Sequence, residues 1–551
     1  MITRITRLTT KTKQTIIVNN QALFLFLVIS LLVAALWFWG FNTHSFNRRD
    51  AFDYAQLARQ VYRGEGLSTL QIFPRHIPYF HAQGILDASH WPNLYRNPLV
   101  AITGAAFQWF FESTTVAMVI QSGFWHLASV ALLFWLAKEI TNLEVAMLSA
   151  LFFASDPVVL LYSYGGMTES LATFLLLLFF IIIISERLKA WRWLLLGAIS
   201  ILAYLSRTQL ILLAPLALVF AWTKAPKGKR VSAILLILAG MSLPLIPWSI
   251  RNLQMAGDPL FSFTTTRNLV LDAVPGHSDL EMQLYAPADL FSVADLYGSA
   301  ILTKFLSNVA ANIFSPQYWA NSFRRTPIFL PLFAFVSLLR LSSSSGEKYR
   351  FLVWTTLALI LATFLLISLT VYSVRSYVMF RPLIIMIGIN EIIALIRRTF
   401  ASRTIRIGIS TLLLLLAGYM LVSAASDHRD IPAPLSQFDQ KAYDILNGRT
   451  EEGSLIGSDI SEQVSLFTGR RTLRLPAEPA ELLEIDMEYI QVDYVLLSRD
   501  LMIGSYAEDN DPGYHETYQN YEEFSRMPEF LDVYFLDERL PNGSLLFRRK
   551  Q

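Results

Sequence analysis

The strongest constraint on this chain is a series of apolar blocks, most of them close to the length that crosses a hydrocarbon layer of roughly 30 Å. They run over 21–41, 117–137, 143–158, 170–185, 193–206, 208–222, 231–247, 326–341, 351–372, 376–396 and 407–424. A water-soluble core cannot absorb that many. Only 16% of the 551 residues are charged, against about a quarter in soluble domains. Many of the 12 tryptophans lie near block ends, as interfacial belts do. The basic N-terminus leads into the first block without a small-residue cleavage site after Trp37-Phe38-Trp39-Gly40, so that block reads as a retained span.

A shorter block, 97–111, is marginal for crossing, and the distribution of basic residues decides its place. Cationic loops stay on the cytoplasmic side. The basic clusters are Arg4/Arg7/Lys11/Lys13, Lys138, Arg187/Lys189/Arg192, Lys224/Lys227/Lys229/Arg230, Lys348/Arg350 and Arg397/Arg398/Arg403/Arg406. With 97–111 lying along the membrane surface, all of them fall on the N-terminal side; with 97–111 crossing, all but the first change sides. The expectation is therefore an α-helical polytopic protein of about eleven spans in the cell (inner) membrane, N-terminus cytoplasmic. Residues 1–424 form the membrane module, with long external loops at 42–116 and 248–325. The tail, 425–551, lies outside.

That tail differs in composition. Stretches at 454–457, 492–497 and 531–536 read as short buried strands, and 438–446 and 479–485 as helices. The length suits a small α/β domain. It has no Gly-rich phosphate loop and no nucleophile elbow, so a packing or acceptor-presenting domain is expected.

The residues able to carry chemistry gather in the external segments. Asp50 follows the first block closely, and Asp53 shares its helix face at i+3. A carboxylate near lipid suits a general base toward a hydroxyl; Asp is equally a common helix N-cap. Arg96, in Tyr95-Arg96-Asn97-Pro98, has the fork that grips phosphate, and is equally placed to snorkel at the interface. Glu169 opens a strongly apolar helix, where an acid favours the helix N-terminus but an ionisable group at membrane depth points to function. Arg207 and Arg375 sit in turns between apolar blocks, and Arg251 ends the block before the second long loop. Arginines with two carboxylates on one membrane face suit an anionic phospholipid head group beside a hydroxyl that must lose a proton.

Other classes fall away. The net charge of +2 points to no nucleic-acid partner, and the absence of cysteine removes disulfides, thiolate metal sites and Cys nucleophiles. His76, His81 and His90 lack HxH or HExxH spacing, and no Walker or G-x-S-x-G motif is present. A transporter or flippase is the alternative reading; it would place polar groups near the bilayer midplane and show repeated halves, whereas here they cluster at one face.

Taken together, Asp50-x-x-Asp53-Tyr54-x-x-x-Ala58-Arg59 with Gly64-x-Gly66, Tyr95-Arg96-Asn97-Pro98, Glu169, the Leu-x-Arg at Arg207 and the string from Pro247 through Arg251 to Gly257 resemble GT-C membrane glycosyltransferases. They are most similar to the bacterial branch related to protein O-mannosyltransferases and the aminoarabinose transferase of lipid A. There are departures: the family's Asp-Glu pair is Asp50-Ala51 here, and a late Arg-Tyr segment is reduced to Arg375-Ser376-Tyr377 with Arg381-Pro382. The resemblance implies an inverting transfer from a polyprenyl-phosphate sugar to a hydroxyl of a lipid, glycan or protein acceptor. It implies catalytic roles for Asp50 and Glu169, and substrate binding by Asp53, Tyr54, Arg59, Arg96, Arg207, Arg251 and Arg375. No nucleotide site is needed. Some relatives use a divalent cation, but no ligand set for one stands out.

Overall fold

The computed structural model describes residues 46, 49–184, 189–273, 280–323, 326–340, 346–371, 374–427, 437–499, 521 and 523–551. The predicted first span, 21–41, lies outside them. The described parts of the other ten apolar blocks fall mainly on helix. Four helical segments are long and apolar enough to cross a membrane singly: Thr114–Ile140, Lys227–Ala256, Glu347–Leu369 and Arg375–Thr399. A fifth candidate is the pair Leu143–Ala154 and Pro157–Tyr164, bent by 57°. Asp156, between them, caps the second helix by accepting from the Val158 and Val159 amides, and Pro157 starts it. The remaining blocks form shorter apolar helices, among them Glu169–Ile184 and Ala190–Ser206. The chain is a multi-pass membrane protein.

The ambiguous block becomes the helix Pro98–Gln108, 11 residues long. At 1.5 Å per residue it spans about 16 Å, roughly half a hydrocarbon layer. It packs Val100, Ala101, Gly104 and Ala105 inward, against the helix Arg49–Tyr62. A Cβ on Gly104 would stand 3.1 Å from that of Ala58, so small residues on both helices let them approach closely.

Elsewhere, two helix backbones touch. A Cβ on Gly197 would lie 2.0 Å from the Ile237 carbonyl oxygen, and one on Gly240 would lie 1.9 Å from that of Leu194. Glycine at both positions is what allows Ala190–Ser206 and Arg230–Ala256 to pack in contact. Deeper in the bundle, Arg381 and Asp156 form an ion pair with both side chains fully buried, at 2.8 Å, and Thr326 donates to the same carboxylate.

The second external loop holds a helix the sequence reading did not expect, Leu290–Asn312. Lys304 on it donates to the carbonyls of Leu269, Leu271 and Thr370, each at 2.7 Å.

The tail forms a sheet, but not alone. The first external loop supplies β1 (Ser68–Thr69), β2 (Gln71–Ile72) and β3 (Trp91–Pro92); the tail supplies β4 (Leu455–Ser458), β5 (Arg471–Arg474), β6 (Tyr494–Leu497), β7 (Tyr534–Arg539) and β8 (Leu545–Arg549). β1 and β3 make an antiparallel ribbon. The larger sheet has six strands in the order β2-β5-β4-β6-β8-β7. β2, β5, β4 and β6 run parallel, and β8 and β7 close the far side as an antiparallel hairpin. Of the stretches expected as strands, 454–457 overlaps β4 and 492–497 contains β6, while 531–536 straddles the end of the helix Pro528–Val533 and the start of β7. Helices occupy both expected positions, as Gln437–Arg449 and Pro479–Glu484.

Candidate active site

Each side chain of the site sits at a helix end or a turn that local chemistry sets. Asp50 lies in the first turn of Arg49–Tyr62 and Arg59 in the last, the polarity that the helix dipole favours. Asp50 and Asp53 then share one face. Arg96 sits on an Asx turn: Asn93 Oδ1 accepts from the Tyr95 and Arg96 amides, and Asn93 Nδ2 donates to the Arg96 carbonyl at 2.9 Å. Asn97 is extended (φ −61°, ψ 137°), as a residue before proline must be, and Pro98 begins the next helix. Arg207 ends Ala190–Ser206, also extended. Glu169 opens Glu169–Ile184. Arg375 lies on the 3₁₀ turn Val374–Phe380.

These five turns and helix ends converge. Arg96 donates from Nε to Asp53 at 2.6 Å and from Nη2 to Asp50 at 2.7 Å. Arg375 donates from Nη1 to the other Asp50 oxygen at 2.5 Å and from Nε to Glu169 at 2.8 Å. Arg207 donates from Nη1 to Glu169 at 2.9 Å and to Thr168 at 3.0 Å. The result is one chain of ion pairs, Asp53–Arg96–Asp50–Arg375–Glu169–Arg207. Its three carboxylates and three guanidinium groups balance in charge. Tyr54 and Tyr162 flank it, with the guanidinium carbons of Arg96 and Arg375 5.5 and 5.7 Å from the respective ring centres.

The carboxylates differ in access. The Asp50 side chain is 26% exposed, that of Asp53 6% and that of Glu169 2%. Asp50 is therefore the acid that an incoming group can reach. Burial pushes its carboxyl upward, but Arg96 and Arg375 outweigh that and hold it well below the usual carboxylate range. Asp53 goes the other way: burial raises it, Arg96 opposes, and the negative charges of Glu462 and Asp50 add to the rise.

Seven of the nine residues expected from the sequence stand at this network: Asp50, Asp53, Tyr54, Arg96, Glu169, Arg207 and Arg375. Two stand away from it. Arg251 braces the Asx turn from behind, donating to the carbonyls of Asn93 and Leu67, both at 2.8 Å. Arg59 reaches the C-terminal domain, donating to the carbonyls of Leu466 and Ser465 at 2.5 and 2.8 Å. Arg59 donates from both terminal nitrogens to backbone, and Arg251 to backbone and to the Asn252 side chain.

Two residues without a sequence motif also border the site. His126, within Thr114–Ile140, is buried, and neither ring nitrogen has a partner among the described residues. It lines one small space with Ser129, Tyr162, Glu169 and Thr173. Only its place in an apolar helix marked it. Glu462, on a helix of the C-terminal domain packed against Arg49–Tyr62, adds negative charge at Asp53, and nothing local announced it. Among the described residues, no group of three or more His, Asp or Glu side chains is placed to hold a metal ion.

The dolichyl-phosphate-mannose-protein mannosyltransferase family model matches residues 96–250, a segment that starts at Arg96 and includes Glu169 and Arg207. No curated protein matches the sequence. Among solved structures, the oligosaccharyltransferase of Archaeoglobus fulgidus, tethered to an acceptor peptide, aligns over 96% of this chain and 74% of its own, with a TM-score of 0.59 and 12% identity. ArnT from Cupriavidus metallidurans aligns less well. Its apo form covers 96% of this chain and 98% of its own (TM-score 0.44, 10% identity), and its undecaprenyl phosphate complex 95% and 97% (TM-score 0.42, 12% identity). The chain is a membrane protein with the fold of GT-C glycosyltransferases, and its residues 96–250 match the dolichyl-phosphate-mannose-protein mannosyltransferase model.

Proposed function

We propose that this protein is an inverting glycosyltransferase that moves a sugar from a polyprenyl-phosphate donor to an acceptor hydroxyl on the extracytoplasmic face of the membrane. The observation that carries this reading is the charge-balanced network, in which both oxygens of the accessible Asp50 are occupied by guanidinium groups that suit phosphate equally well. The family model over residues 96–250 supports the donor class. The acceptor is a lipid, a glycan or a protein. The membrane is the cell's inner membrane, with the N-terminus cytoplasmic.

In the resting state Asp50 is a poor base, because two cations stabilise its ionised form. A donor phosphodiester brings one negative charge into a network with no surplus cation, so it binds by drawing Arg96 and Arg375 toward itself. Losing those cations raises the proton affinity of Asp50. The acceptor O–H then gives its proton to Asp50, and its oxygen forms a bond to the anomeric carbon. The bond from that carbon to the phosphate oxygen breaks on the opposite side, and the electron pair leaves with the phosphate. Arg207, Arg375 and Arg96 neutralise the departing charge, so the leaving group needs no acid. Glu169 holds Arg207 in place throughout. The test is transfer from a polyprenyl-phosphate sugar in membranes carrying the protein. Loss of lipid-linked transfer on Arg375→Ala supports the reading, and undiminished transfer overturns it.

A further inference from the structure

We propose that Glu462, carried by the C-terminal domain, is a positioning residue of this site: acting on Asp53, it helps decide whether Arg96 is held by a carboxylate or released to a lipid phosphate. The proposal rests on the transferase reading above.

The sheet brings Glu462 there. In parallel α/β sheets the crevice outside the carboxyl ends of the strands is where ligands gather. Here that edge carries Asp459 after β4, Arg474 at the end of β5 and Ser498 after β6. What faces it is the start of the helix Arg49–Tyr62. Arg49 interacts electrostatically with both Asp459 and Glu462, and Glu462 with Asp53. Pairing of β2 with β5 ties the first external loop into the same sheet.

Glu462 is held rigidly. Its Oε2 accepts from Arg474 Nη1 at 3.1 Å and from Ser461 Oγ at 3.2 Å, and Ser461 Oγ accepts from Gln71 Nε2 at 2.8 Å. Arg474 Nη1 also donates to the Asp459 carbonyl. Burial opposes ionisation of Glu462, but Arg474 and Arg49 outweigh it, and its carboxyl lies below its ordinary value. A second set of contacts locks its helix, Ser461–Thr468, to Arg49–Tyr62. Arg59 donates to the Ser465 and Leu466 carbonyls, and the rings of Phe52 and Phe467 meet at 5.8 Å. A fixed negative charge therefore stands behind Asp53.

The groups facing Asp53 are Arg96 from the Asx turn, Asp50 and Tyr54 on its own helix, and Glu462 from Ser461–Thr468, with Arg49 and Arg474 behind Glu462. The helix Pro98–Gln108 carries no titratable residue; Thr114–Ile140 carries its own at His126, Lys138 and Glu139. With two negative neighbours and little exposure, Asp53 protonates before Asp50 as pH falls. Protonation frees Arg96 Nε, and the network gains one unmatched positive charge.

The test is equilibrium binding of a polyprenyl methyl phosphodiester, whose single charge does not titrate, to the purified full-length protein across the acid range. For the wild type, affinity should rise as pH falls through one inflection. Glu462→Gln should move that inflection to lower pH by about half a unit or more. Glu462→Asp, which restores the charge, and Glu538→Gln, on the far hairpin beside Arg449, should keep it in place. Should Glu462→Gln not accumulate, Glu462→Ala removes the same charge and should move the inflection the same way. An inflection that stays in place when the Glu462 charge is removed, while the phosphodiester still binds, overturns the proposal and leaves the transferase reading standing. A wild type that binds no phosphodiester at any pH overturns both.

Discussion

Arg375 donates from Nη1 to Asp50 at 2.5 Å, joining two residues 325 positions apart in the chain. The same guanidinium reaches Glu169 through Nε, so one side chain couples the accessible acid to the buried one. Replacing it by alanine should do two things at once. Donor use should weaken by about tenfold or more, as for loss of a charge-assisted hydrogen bond worth roughly 1.5–3 kcal/mol, and the Asp50 carboxyl should titrate at higher pH. Donor KM and the acid limb of the rate profile read the two effects.

Arg207→Ala should be milder on the proton and comparable on the donor, because Arg207 touches Glu169 and Thr168 but not Asp50. The expected result is a raised KM for the lipid donor with the acid limb unmoved. A variant with unchanged donor dependence would make Arg207 a structural residue only.

Glu481 gives a pH-dependent contact away from the site. It accepts from the Leu284 amide at 3.1 Å, and burial, then the charges of Glu478 and Glu484, push its carboxyl up to about 7 against the opposing hydrogen bond. A carboxyl raised in the folded state contributes stability that is present below its ordinary value of 4.5 and is lost as pH rises through about 7. The unfolding temperature in detergent should therefore fall as pH passes 7. Glu481→Gln, neutral throughout, should remove that fall.

The crossing of Ala190–Ser206 and Arg230–Ala256 should tolerate no side chain. A Cβ at Gly240 meets the Leu194 carbonyl oxygen at 1.9 Å, so Gly240→Ala should cost about 1–3 kcal/mol as an overpacked contact. Gly298, in the helix Leu290–Asn312, has nothing within 4 Å of its Cβ position. Gly298→Ala should be neutral or stabilising by about 0.5–1 kcal/mol. Thermal unfolding of the two variants in detergent compares them directly.

Much of this was legible in the sequence, and the residues show why the rest was not. Apolar length marked ten described helices, and charged residues among apolar ones marked Asp50, Glu169, Arg207 and Arg375. Arg59 and Arg251 carry the same motif signal as Arg96, yet they reach backbone carbonyls away from the carboxylates. Sequence spacing cannot tell a guanidinium that holds a ligand from one that holds the turn behind it. The helix Leu290–Asn312 escaped because Asp295 and Lys304 interrupt its apolar pattern. Glu462 was invisible because the pairing that brings it in rests on β2, a strand of two residues that leaves no periodicity to read.

The most direct test of the central claim is Asp50→Asn, assayed side by side for transfer and for donor binding. Removing the carboxylate charge takes away the base and loosens two guanidinium groups for phosphate. Transfer should fall by about 10²–10⁴-fold, while a polyprenyl phosphodiester should bind at least as tightly as it does to the wild type. An Asp50→Asn protein that still transfers sugar at the wild-type rate, or that loses donor binding together with transfer, would contradict the account.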